Sequence, residues 1–170
     1  YTTLFRSLHA MEQHFSQHRF VLGGRPGTGD FGLYGQLTQL VQFDPTPMAL
    51  ASATAPRVMA WTSAMEDLTG LEPQDADWFD PAALPATLTA LLKEVGRVYV
   101  PLLLANAKAV QAGADQVETV IDGKAWVQQP FPYQAKCLMW LREEYAALDA
   151  GDRALADAAL AGTGCGALFG

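Results

Sequence analysis

Apolar residues recur at three- and four-residue intervals along most of this chain, a spacing that predicts helices. Leu8, Met11 and Phe15 set the stripe of a first helix over 8–20. A second helix is predicted over 28–43. From Phe31 to Phe43 it carries no charged side chain, and Phe31, Leu33, Tyr34, Leu37, Leu40 and Val41 occupy nearly every side of it. A helix that is apolar almost all round is expected to be central and enclosed by others. Asp44-Pro-Thr-Pro47 is a stop signal, with a short helix over Met48 to Ser52 after it. Pro56 suits the first position of the next helix, which puts Val58, Trp61, Met65 and Leu68 on one face and closes at Gly70.

The second part of the chain opens after an acidic loop, Leu71 to Pro81, in which Asp80 is placed to cap a helix at Pro81. Leu88, Leu91, Leu92, Val95, Tyr99, Leu102, Leu103 and Val110 then continue a helical pattern to Gly113. Pro101 interrupts it and should kink it, at a cost of about 3 kcal/mol if unrelieved. Between 117 and 127 the pattern changes. β-Branched residues flank Asp122-Gly123, the pair a two-residue hairpin turn needs, so a small β-hairpin is predicted. Helix returns over 130–148, with Leu138, Leu141, Tyr145 and Leu148 inward. Asp152 caps a last helix to about 161, and a glycine-rich tail follows. The predicted class is all-α with one small hairpin.

Composition narrows the function classes. The 170 residues suffice for one good-sized core, and half of them are hydrophobic. A net charge of −7 disfavours nucleic acid and anionic membranes as partners. Cys137 and Cys165 stand alone, without metal-ligand spacing, as in a reduced cytoplasmic protein. The most apolar run, Val98 to Ala105, is far too short to span a bilayer.

Candidate chemistry is sparse. Gly162, Gly164 and Gly166 follow an Ala-rich helix where a nucleotide loop would follow a strand. Gly24 to Asp30 lacks the Lys-Ser/Thr pair of a phosphate loop. His14 and His18 have metal-capable spacing on one helical face, but His9 lies on another, so solvent-facing histidines are expected and no metal site. Tyr133, Lys136, Cys137 and Trp140 form the one chemically rich cluster. Tyr133, Cys137 and Trp140 share a helical side, with Lys136 beside them, where it can lower the thiol pKa if both are exposed. An inert core thiol and a core aromatic are the simpler reading, and no catalytic residue is assigned.

The stretch Phe20 to Leu37 carries a more specific message. Pro26 breaks the preceding structure, Gly27 serves as N-cap, and Asp30 falls at N3, where its carboxylate reaches back to free N–H groups. Leu22, Gly23 or Gly24, Pro26, Asp30, Phe31, Tyr34 and Leu37 resemble the helix-capping motif of the glutathione transferase C-terminal domain. Ala55-Pro-Arg-Val-Met-Ala-Trp61 is similar to the start of that domain's next long helix. The family usually has Ser or Thr where Gly27 stands, so Asp30 must carry the cap alone. Gly27 and Asp30 are thus read as structural cap residues.

The resemblance implies a transferase-type helical core over 8–70 and an extension over 71–170 packed on the same domain. Residues 1–7 look like a translated sequencing adapter and are set aside. The family's thioredoxin-like domain, which holds glutathione, is then expected upstream. Glutathione would be a substrate of the full-length protein and would not be bound by this part alone. A homodimer is compatible with the resemblance, as is a non-catalytic interaction module. In this family the helical domain shapes the pocket for the electrophilic co-substrate, which suggests Tyr133, Lys136, Cys137, Trp140 and Phe169 as a wall of that pocket.

Overall fold

The computed structural model describes residues 2–170. Helices dominate, with one two-stranded antiparallel sheet among the described residues. The fold is all-α, as the periodicity predicts. Two compact units divide it, Tyr1–Leu91 and Leu92–Gly170.

In the first unit, α1 covers Thr2–Phe15. It begins before Leu8 and brings Leu4 onto the core. It also ends before Phe20. The Gln17 and His18 N–H groups both donate to the His14 carbonyl, and Phe20 turns back to bridge Gly23. Helix α2, Thr28–Leu37, passes into a wide π-helical turn over Thr38–Phe43. Leu37 and Val41 are fully buried, but Phe31 is 52% and Phe43 79% exposed. The predicted enclosure therefore fails. Gly29, Gly32 and Gly35 have no neighbour close to where a Cβ would stand, so one side of α2 is open.

The Asp44-Pro45 step starts a helix as well as stopping one. The Asp44 carboxylate accepts from Thr46 N–H at 3.0 Å, and α3 runs over Pro45–Thr54, longer than predicted. Helix α4, Pro56–Ala64, buries Val58 and Trp61, with Met65 just beyond it. It closes well before Gly70. Leu8, Met11, Leu37, Val41 and Ala51 complete this core. The acidic loop holds only a 3-10 turn, Asp75–Asp77. Asp80 accepts from Ala82 N–H in a local turn and caps no helix; α5 begins at Ala86, after Pro85.

The division between units falls within α5, Ala86–Glu94. A π-helical turn, Val95–Tyr99, leads to α6, Val100–Ala112, closed by Gly113 at φ 62. This turn is the form the Pro101 interruption takes. Pro101 has no N–H for the Arg97 carbonyl, and the turn before it widens so that Val100 N–H donates to Val95 O. Strands β1, Val117–Ile121, and β2, Lys124–Gln128, pair as predicted through Asp122 and Gly123, both at positive φ. Val117 and Ile121 are buried.

Helix α7, Pro132–Ala147, buries Leu138 but leaves Leu141 38% exposed, against the predicted stripe. Its start is tied to α6 by Asn106, whose buried amide donates to Phe131 O and accepts from Phe131 N–H. Helix α8, Ala150–Leu160, is capped by Asp149, three residues before the predicted Asp152. Asp152 donates its own N–H to that cap. The glycine-rich tail is structured. Cys165 and Leu168 join Val100, Leu103 and Leu138 in the second core.

Gly96 lets the tail approach. A Cβ there would lie 2.0 Å from the Thr163 carbonyl oxygen, a contact only backbone movement can relieve. Gly96→Ala is expected to destabilise the Leu92–Gly170 unit by about 1–3 kcal/mol, the usual cost of overpacking. Urea unfolding followed by tryptophan fluorescence measures it, and an unchanged midpoint would contradict the close approach.

Candidate functional site

Two buried carboxylates, Asp30 and Glu12, tie helix starts in the first unit. Asp30 is 1% exposed. One of its oxygens accepts from Gly27 N–H and the other from Val21 N–H, both at 2.9 Å. It thereby caps α2 and fastens the preceding loop to it. Gly27 takes the N-cap place with extended backbone, φ −119 and ψ 176, which any residue can adopt. What favours glycine is Trp78, whose ring would sit 3.1 Å from a Cβ there. The Arg25 guanidinium stacks on the same ring. Of the neighbouring pair, Gly23 is the constrained one: at φ +139 it bridges Trp78, and a Cβ would strike Asp77 O at 2.1 Å.

Glu12 plays the matching part for α4, and sequence reasoning missed it. It is buried on α1 and accepts from Arg57 N–H at 2.8 Å and Val58 N–H at 3.3 Å, with the Arg57 guanidinium at 2.7 Å. Trp61 donates its indole N–H to Arg19 O and stacks on Phe15. A glutamate sharing the α1 stripe with Met11 and Phe15 was the available signal.

The histidines are not solvent-facing. His14 is fully buried and His18 half-buried, their rings 4.9 Å apart and both edge-on to Phe79. His14 Nε2 lies 3.2 Å from Phe20 O, an acceptor only, so Nε2 carries the proton and Nδ1 accepts from the Thr87 hydroxyl at 3.0 Å. Both nitrogens are thus engaged. Among the described residues no group of three His, Cys, Asp or Glu side chains is arranged to hold a metal ion. Burial holds the His14 pKa below its ordinary value, and the charge of His18 adds to this. The Phe20 and Val21 carbonyls and Asp30 oppose it.

In the second unit, α7 brings together part of the predicted wall. Tyr133 and Trp140 meet edge to face with centroids 6.4 Å apart, and Lys136 Nζ sits 4.7 Å from the Trp140 ring centre. Both rings are exposed, so Trp140 is no core aromatic. Cys137 is half-buried and near Tyr99. Partial burial, then the Cys137 charge, push the Tyr99 phenol above its ordinary value. Phe169 is elsewhere: it stacks on Tyr145 near the far end of α7, at 4.1 Å. The space beside α7 also lies on another face. A shallow groove of about 330 Å³ runs between α6 and α7, lined by Ala107, Ala135, Leu138, Met139, Arg142 and Glu143. Small alanines make it, and in sequence they read only as helix formers.

Residues 1–64 match the family model described as "Glutathione S-transferase, C-terminal domain". Over these residues the chain is similar to that domain. No curated protein and no solved structure matches the chain. The matched segment contains Glu12, Asp30, Pro56 and Trp61, each used to position a helix. The α7 cluster and the groove lie beyond it. Among the described residues no helix is long and apolar enough to cross a membrane.

Two outcomes follow for the matched segment. Asp30→Ala removes the acceptor of two N–H groups at a buried site and should cost about 2–3 kcal/mol, read from denaturant midpoints. A loss below about 0.5 kcal/mol would show that water replaces the carboxylate. His14 makes the segment sensitive to acid. Its folded pKa lies below the unfolded 6.5, so its contribution is complete above pH 6.5 and is lost as pH falls toward the folded value. Thermal midpoints should therefore drop more steeply below pH 6.5 in the native chain than in His14→Phe. Parallel curves would exclude His14 as the source. His9→Ala, at an exposed position of α1, is the neutral control.

Proposed function

We propose that this chain is the helical part of a glutathione transferase-like protein. Conjugation of glutathione to an electrophile then depends on a thioredoxin-like domain acting with it. The family match over residues 1–64 supports the transferase class. The observation that carries the finer reading is the use of the matched residues. Glu12 and Asp30 are buried and bonded to backbone N–H groups, and the Trp61 indole donates to Arg19 O. These groups position helices and present nothing to a thiol. A glutathione thiolate needs a positioned donor to stabilise it, and on this reading that donor lies in the other domain. The chain contributes apolar wall for the co-substrate, from Tyr133, Lys136, Cys137 and Trp140. The protein works in the cytoplasm.

A second reading rests on the open side of α2. Exposed Phe31 and Phe43, at the two ends of a stretch without charged side chains, suit a non-catalytic interaction module of transferase type.

Calorimetric titration with glutathione, beside a conjugation assay with a broadly reactive aromatic electrophile, separates the possibilities. The 170-residue chain is expected to bind glutathione no tighter than millimolar and to show no turnover above the uncatalysed rate. Micromolar binding would overturn the proposal. So would turnover abolished by Cys137→Ala, which would make the α7 cluster an active site.

A further inference from the structure

The outer edge of β2 is chemically unfinished. The two-residue turn makes Ile121 and Lys124 a hydrogen-bonded pair, and the alternation of an antiparallel ladder then fixes the rest. Lys124, Trp126 and Gln128 direct their backbone groups to β1. Ala125 and Val127 direct theirs away from it. Among the described residues neither Ala125 nor Val127 has a backbone partner outside the hairpin, and β2 is exposed over Lys124–Val127. Native sheets protect such edges with prolines, bulges or several charges. This one has a single lysine at its end and Ala-Trp-Val in the middle. Val127 is 58% and Trp126 44% exposed. The β1 edge differs, because α6 packs against β1 and Val117 and Ile121 are buried.

We propose that β2 is an interaction edge whose occupant is β2 of a second copy of this chain. The pairing is antiparallel, on a two-fold axis through Trp126. The register selects this occupant. Centred on Trp126, the outward groups of Ala125 face those of Val127 in the partner copy, giving four N–H···O=C bonds. Trp126 then stands opposite its own counterpart in a non-hydrogen-bonded pair, where cross-strand side chains are closest and aromatic pairs contribute most. Val127 packs beside Ala125 of the other copy on the outer face and extends the apolar strip begun by Val120. Lys124 lies opposite Gln128, so no like charges meet. On a chain of net charge −7 that is a real constraint. A β1–β1 pairing about Thr119 would set Glu118 against Val120 instead.

Sedimentation equilibrium of the full chain, with amide hydrogen exchange, tests the edge. The expected result is a dimer in which the Ala125 and Val127 amides are protected and exchange faster on dilution. Ala125→Pro removes only the outward N–H, since Ala125 does not donate to β1. It should raise the dissociation constant at least about tenfold while the Thr119 and Trp126 amides stay protected. Ala125→Ser, which keeps the N–H, should dimerise like the native chain. Trp126→Cys in a Cys137→Ser background should form an inter-copy disulfide under mild oxidation, and Val127→Cys should not. A monomer at all concentrations, or a dimer indifferent to Ala125→Pro, overturns the proposal. Capture of an unrelated extended peptide in place of the second copy would do so too.

Discussion

Helix ends inside a protein core present N–H groups that nothing within the helix can satisfy, and the first unit is organised around that constraint. Its answer is to bring a carboxylate from elsewhere in the chain. Asp30 reaches back from the first turn of α2 to Gly27 and Val21, and Glu12 reaches across from α1 to the start of α4. Each acceptor is charged, buried and bonded to backbone, a combination roughly twice as strong as neutral pairs. The unit depends on these two ties because its helices are short: α4 covers only Pro56–Ala64. Packing alone gives such a helix little orientation. The caps set where it begins, and the core residues Val58 and Trp61 then find their partners.

How much of this is readable without coordinates follows from the range of each interaction. The Asp122-Gly123 turn, the Asp30 cap and the place of Pro56 depend on residues a few positions apart, and the sequence states them openly. The Glu12 cap joins residues 45 positions apart, and a glutamate on a helix ordinarily signals solvent. The buried His14 is hidden in the same way, since its partners, Thr87 and the Phe20 carbonyl, meet only after the chain folds. Helix α2 misleads for another reason. Beyond Asp30 it carries no charged side chain, which reads as burial on all sides, yet its glycines leave one side open. Helical spacing also brings Tyr133, Lys136 and Trp140 together, since they share one side of α7, whereas Phe169 comes from a distant turn and stacks on Tyr145.

Proline and glycine carry different weight at the α5–α6 junction. Pro101 marks a break that any reader of the sequence would note, and the chain absorbs it by widening one turn. Gly96, within that turn, attracts no notice as a lone glycine in a helix, where it should cost about 1 kcal/mol relative to alanine. Its value emerges only with the Thr163 carbonyl against it.

That contact bears on the order in which the protein can form. The first unit is complete once Leu91 has been made, and its core contains nothing later. The second core includes Cys165 and Leu168, with Thr163 laid on Gly96 and Arg142 donating to the Leu168 carbonyl. During synthesis this unit must stay open until residue 168 has emerged from the ribosome. Its hairpin and the apolar face of α7 meanwhile wait unassembled. The two units thus mature at different times on one chain, and the later one is the part that chaperones would have reason to hold.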